Sequence, residues 1–141
     1  MKKTKISHSE QETFETAFKI GKDATEGTII TLSGDLGVGK TVMAKGIGAG
    51  LGIAEDITSP TFSLFEMYEG ELPLYHFDLY RIEDENELEN LHFDEYWYGK
   101  GVSVIEWPEI AHETLDGPVV SVTIERIDDE TRSITIEYPD N

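Results

Sequence analysis

The residues with the clearest chemistry are SGDLGVGKT at 33–41, directly after the apolar run TIITL. Gly34, Gly39, Lys40 and Thr41 stand in phosphate-loop spacing, and each part has its own duty. Glycines let the backbone curl so that the amides of Asp35, Leu36, Gly37, Val38 and Gly39 point inward at phosphate oxygens, and a helix starting there adds a positive dipole end. Lys40 would reach the β- and γ-phosphates, and the Thr41 hydroxyl would sit on Mg²⁺, a hard ion that prefers oxygen ligands. The base is read by elimination. Guanine specificity uses an Asn-Lys-x-Asp run, and the only asparagines here are Asn86, Asn90 and Asn141, so ATP is favoured over GTP.

Magnesium and an attacking water call for a carboxylate at the end of a neighbouring strand. Asp78 follows LPLYHF, a run interrupted by His76, whereas Glu106 closes the cleaner run VSVI; periodicity does not rank them. Thr58, Ser59 and Thr61 flank a rigid proline at a point where a loop can sense the γ-phosphate. They could equally form an ordinary capped turn. His8, His76, His92 and His112 lack the short spacings of a metal site and read as core or surface residues. Trp107 follows a strand and suits either the core or stacking. Arg81, Arg126 and Arg132 are the only arginines, and the sequence does not choose among them.

These groups need elements to hold them. Ser9 and Glu12 fit a capping box ahead of Phe14, Ala17, Phe18 and Gly21 at helical spacing, which predicts a helix over 9–24. A strand over 28–32, the loop, and a helix over 40–51 follow. FSLFEMY and LPLYHFDLYR form a hairpin around Glu69-Gly70-Glu71, the acidic run IEDENELENL is helix-permissive, a buried strand starts at Val102, and two strands close the chain over 118–126 and 132–138. Alternating strands and helices predict an α/β fold, a mostly parallel sheet with an antiparallel hairpin edge. No repeat or linker divides it, so residues 1–141 read as a single domain.

Charge limits the partners. The 29 acidic and 11 basic side chains give a net charge of −18, and such a surface repels phosphate backbones, so direct RNA gripping is not expected. The absence of cysteine excludes disulfides and thiolate zinc sites. With no apolar leader or run of membrane-spanning length, a soluble, cytoplasmic protein without membrane contact is expected.

Together GDLGVGKT, SPTFSL, YHFDLYR and VIEWPE, in this order, resemble the bacterial TsaE family over residues 9–138. These small P-loop ATPases are required for the threonylcarbamoyladenosine modification beside the anticodon of tRNAs. The resemblance implies Lys40 and Thr41 on phosphates and Mg²⁺, Asp78 in the nucleotide site, Glu106 as a magnesium-linked carboxylate with Trp107 beside it, and a switch over 58–61. It places Glu10 and Arg132 near the nucleotide. It also implies TsaD and TsaB as partners, tRNA reached only through them, and low intrinsic hydrolysis. A small P-loop kinase and a nucleotide-sensing binding module are the alternatives.

Overall fold

The computed structural model describes residues 2–34, 38–53, 57, 65–79, 101–106 and 119–139. Its strands are β1 (Lys2–Ser7), β2 (Ile29–Ser33), β3 (Phe65–Tyr68), β4 (Leu74–Asp78), β5 (Val102–Glu106), β6 (Val119–Arg126) and β7 (Arg132–Glu137), with helices α1 (Glu10–Asp23) and α2 (Lys40–Gly50). All seven strands share one sheet in the order β1-β7-β6-β2-β5-β4-β3. The inner strands β6, β2, β5 and β4 run parallel, and both flanks are antiparallel.

The expected α/β fold with its antiparallel hairpin is thus present, and the expected strands and helices fall within a residue or two of their places, except that β3 and β4 cover only the inner parts of FSLFEMY and LPLYHFDLYR, whose residues 62–64 and 80–81 lie outside the described residues. The acidic run lies outside the described residues. The structure adds a second antiparallel flank, since β1 pairs with β7 from Lys2↔Glu137 to Ser7↔Arg132. Its sequence KKTKIS carries little apolar signal because it is an edge strand, exposed at every residue but Ser7. Lysines on an open edge discourage pairing with other chains.

β2 reads as four buried residues and β5 is buried throughout, as expected of parallel strands covered on both faces. Ile30, Leu32, Val104, Val122 and Ile134 join Ala17 and Ile20 of α1 and Met43, Ala44 and Ile47 of α2 in one core cluster. The chain leaves β2, forms α2, returns to the sheet's far edge and then places β5 and β6 on either side of β2. The carboxyl end of β2 is therefore a topological switch point, where α/β sheets open a crevice.

α1 starts as the capping box predicts, with Ser9 Oγ accepting from the Glu12 amide at 3.1 Å. Its buried face differs from the expected one: Thr13, Thr16, Ala17, Ile20 and Gly21 are buried, and Phe18 stays 38% exposed. The reason is the closeness of α2. A Cβ on Gly46 would stand 2.6 Å from the Phe14 carbonyl oxygen, and one on Gly21 or Gly50 would collide with backbone of Ile47 or Phe18. Only small residues fit along that line, so the phenylalanines move to its rim.

Gly46→Ala should cost about 2–3 kcal/mol through forced separation of the helices, measured by urea unfolding. A wild-type midpoint would contradict the close approach.

Candidate functional site

Gly39 caps α2 with φ of 120° and no side-chain acceptor, and no acidic residue occupies the first helical turn. A Cβ at Gly39 would meet nothing within 4 Å. Among the described residues the space beside Gly39 is open, and the first amides of a helix have no acceptor within the helix itself. Gly34, at φ of 154°, opens the loop where a Cβ would stand 2.7 Å from the Ile124 carbonyl oxygen, so Gly34 itself lies tight against β6. Lys40 is buried, and its Nζ donates to the Gly34 carbonyl at 2.7 Å, closing the loop on itself. Thr41 follows in the first turn. An uncapped helix start, a lysine held across a glycine-bounded loop and an adjacent hydroxyl form a donor set suited to a polyanion and a hard cation.

The two competing carboxylates are neighbours. Parallel register aligns Asp78 with Glu106, and Glu106 in turn with Leu32, the residue before Ser33 at the end of β2. Both therefore stand at the carboxyl end of the sheet, on the face that carries α2. Glu106 is 3% exposed, and its Oε2 lies 2.6 Å from His76 Nε2. Sequence reasoning passed over His76 because no metal spacing surrounds it. The signal was structural: in parallel strands, residues two apart on adjacent strands share a face and come within reach.

On the other side of the loop, Glu10, Val38, Gly39, Val42, Glu130 and Arg132 line a cleft of about 360 Å³. Ser7 holds the start of α1 there, its Oγ 2.7 Å from Thr13 Oγ1 and donating to the Ser9 carbonyl at 2.8 Å. Arg132 Nε donates to the Val38 carbonyl at 2.9 Å and its Nη1 to the Asp128 carbonyl at 2.7 Å. The guanidinium thereby ties the β6–β7 turn to the phosphate loop. Arg126 pairs with Asp129 on the exposed side of the same turn. Of the site residues expected from sequence, Glu10, Val38, Gly39 and Arg132 line the cleft, Lys40 and Thr41 open α2, and Asp78 and Glu106 end adjacent strands. Asp35, Leu36, Gly37, Trp107, Arg81 and the segment with Thr58, Ser59 and Thr61 lie outside the described residues.

The model of the family "Threonylcarbamoyl adenosine biosynthesis protein TsaE" matches residues 7–134. The chain belongs to the TsaE family. A TsaE relative from Bacillus subtilis, a tRNA threonylcarbamoyladenosine biosynthesis protein, is 46% identical over 113 residues, covering 79% of this chain and 70% of the relative. The Treponema pallidum TsaE is 40% identical over 131 residues, covering 93% of this chain and 97% of its own. Among solved structures, Bacillus subtilis YdiB superposes with a TM-score of 0.81 at 34% identity, over 98% of this chain and 86% of its own. The likeness to YdiB over 98% of this chain takes in both flanks of the site.

Asp128 accepts from the amides of Glu130 at 3.0 Å and Thr131 at 2.8 Å. Hydrogen bonding from Thr131, then from Glu130, holds its carboxyl below the usual 3.8. A carboxylate with a depressed pKa stabilises the turn above its unfolded pKa and loses that contribution as pH falls through the folded value. Amide shifts of Glu130 and Thr131, followed by NMR against pH, should titrate together with a midpoint below 3.8. A midpoint at or above that value would contradict the turn that carries Arg132.

Proposed function

We propose that this chain is a Mg²⁺-dependent ATPase of the tRNA threonylcarbamoyladenosine pathway, acting as one domain with TsaD and TsaB and reaching tRNA through them. The observation that carries the reading is the uncapped start of α2, with Lys40 drawn across a loop bounded by Gly34 and Gly39 at the sheet's switch point. The names of the relatives supply the pathway.

In this reading the amides of residues 35–39 and the Lys40 ammonium bind the β- and γ-phosphates. Thr41 and Glu106 would hold Mg²⁺, which would supply positive charge to offset that of the phosphates. Among the described residues no group of three or more acidic or histidine side chains forms a metal cage. That suits an ion which takes most of its ligands from phosphates and water. Asp78, aligned with Glu106, serves turnover. The base and ribose take the cleft between Glu10 and Arg132, Trp107 lies against the nucleotide, and the loop with Thr58, Ser59 and Thr61 responds to the γ-phosphate.

No described helix is long and apolar enough to cross a membrane, and the cytoplasm, where tRNA is modified, is the proposed place of work. The chain's net charge of −18 suits a subunit that leaves the nucleic acid to its partners. Because Arg132 is committed to backbone carbonyls, intrinsic hydrolysis is slow and a docked partner completes the site.

ATP hydrolysis with Mg²⁺ should be weak for the chain alone and rise when the TsaD–TsaB heterodimer is added. Lys40→Ala should lower it by ~100-fold or more, the size expected for removal of a charge-stabilising donor. Wild-type turnover in Lys40→Ala would overturn the assignment. An unchanged rate with the heterodimer would separate the chemistry from the complex.

Arg132→Ala should weaken ATP binding about tenfold, the equivalent of one charged hydrogen bond lost from the loop's support. Isothermal titration calorimetry checks this, and an unchanged affinity would remove Arg132 from the site.

A further inference from the structure

His76 lies in the middle of β4, fully buried, and the register sets it beside Val104. Its neighbours along that face are mostly apolar, with Leu74 on its own strand, Val102 and Val104 on β5 and Ile30 on β2, while its partner on β3 is Glu66, whose carboxylate accepts from the Tyr68 hydroxyl. Packing alone would favour another aliphatic residue there. An imidazole is costly in such surroundings, because among the described residues its Nδ1 has no hydrogen-bond partner and an unmet buried polar atom destabilises the fold. What offsets that cost is Nε2, placed 2.6 Å from Glu106 Oε2 with the two side chains 0% and 5% exposed.

The contact runs diagonally, from His76 on β4 to the last residue of β5. It holds one carboxylate oxygen of Glu106, which limits the rotation of the group and leaves the second oxygen for the site. Metal-ligating carboxylates depend on such partners for orientation, and losing one typically lowers metal affinity by about 10–100-fold. We infer that His76 is a positioning residue that fixes the Glu106 carboxylate for the Mg²⁺–nucleotide complex. This rests on the role assigned to Glu106 above.

Length of side chain provides the test. Glutamine can bring an N–H close to the position of Nε2, asparagine reaches only as far as Nδ1, and leucine keeps the volume apolar. Binding of a fluorescent ATP analogue is titrated in EDTA and then against Mg²⁺, with thermal unfolding of each variant as a check on folding.

His76→Leu and His76→Asn should raise the Mg²⁺ concentration at half-effect by about 10–100-fold, with affinity in EDTA unchanged, and His76→Gln should restore most of the loss. Wild-type Mg²⁺ dependence in folded His76→Leu or His76→Asn would overturn the inference, as would a glutamine variant no better than leucine. Glu106→Ala separates the two claims. If it leaves Mg²⁺ dependence intact, the assignment of Glu106 falls and this inference with it; if it shifts while the leucine and asparagine variants do not, only the positioning role of His76 is lost.

Discussion

α2 begins at Lys40 behind a glycine that offers no side-chain acceptor, and the first amides of a helix have no acceptor within the helix itself. A helix start of this kind favours negative charge through both the amides and the dipole. Much of the described fold holds that helix start in place. β2 delivers the chain to it from the centre of the sheet, and Lys40 closes the loop onto Gly34. Arg132, reaching Val38 from the β6–β7 end of the sheet, braces the opposite side.

Fixing the helix start requires fixing the helix. α1 packs against α2 so closely that Gly21, Gly46 and Gly50 have no room for a side chain. α1 is anchored in turn by the Ser7–Thr13 contact to the edge strand β1. One chain of contacts therefore runs from the outermost strand to the phosphate loop, and the cleft beside Glu10 is formed where it ends. The acidic surface leaves few cationic groups, and Lys40 and Arg132 are two of them, drawn to one small region of a chain with net charge −18. Repulsion from the remaining surface disfavours long polyanions. A short triphosphate held by local donors escapes most of it.

Local pattern revealed the elements because their signals are local. The Ser9 cap, the apolar run at 29–32, the glycines of the loop and the buried strand ending at Glu106 each declare themselves within a few residues, and the four ordered motifs carried the family. Three features escaped for a common reason. β1 has an edge-strand composition with little periodic burial, the small-residue seam of α1 and α2 depends on interhelical distance, and the His76–Glu106 contact depends on strand register. None of these is encoded in a single window. The rivalry between Asp78 and Glu106 dissolves for the same reason, since register places them side by side.

The central claim is that the start of α2 holds the phosphates of ATP and that Thr41 and Glu106 share its metal. The most direct measurement is a crystal structure with Mn²⁺ and a non-hydrolysable ATP analogue, with manganese located by anomalous scattering. The account predicts phosphates enclosed by the amides of 35–39, an anomalous peak between the phosphates, Thr41 and Glu106, and the base in the cleft between Glu10 and Arg132. Phosphates bound elsewhere, or a manganese ion remote from both Thr41 and Glu106, would contradict it.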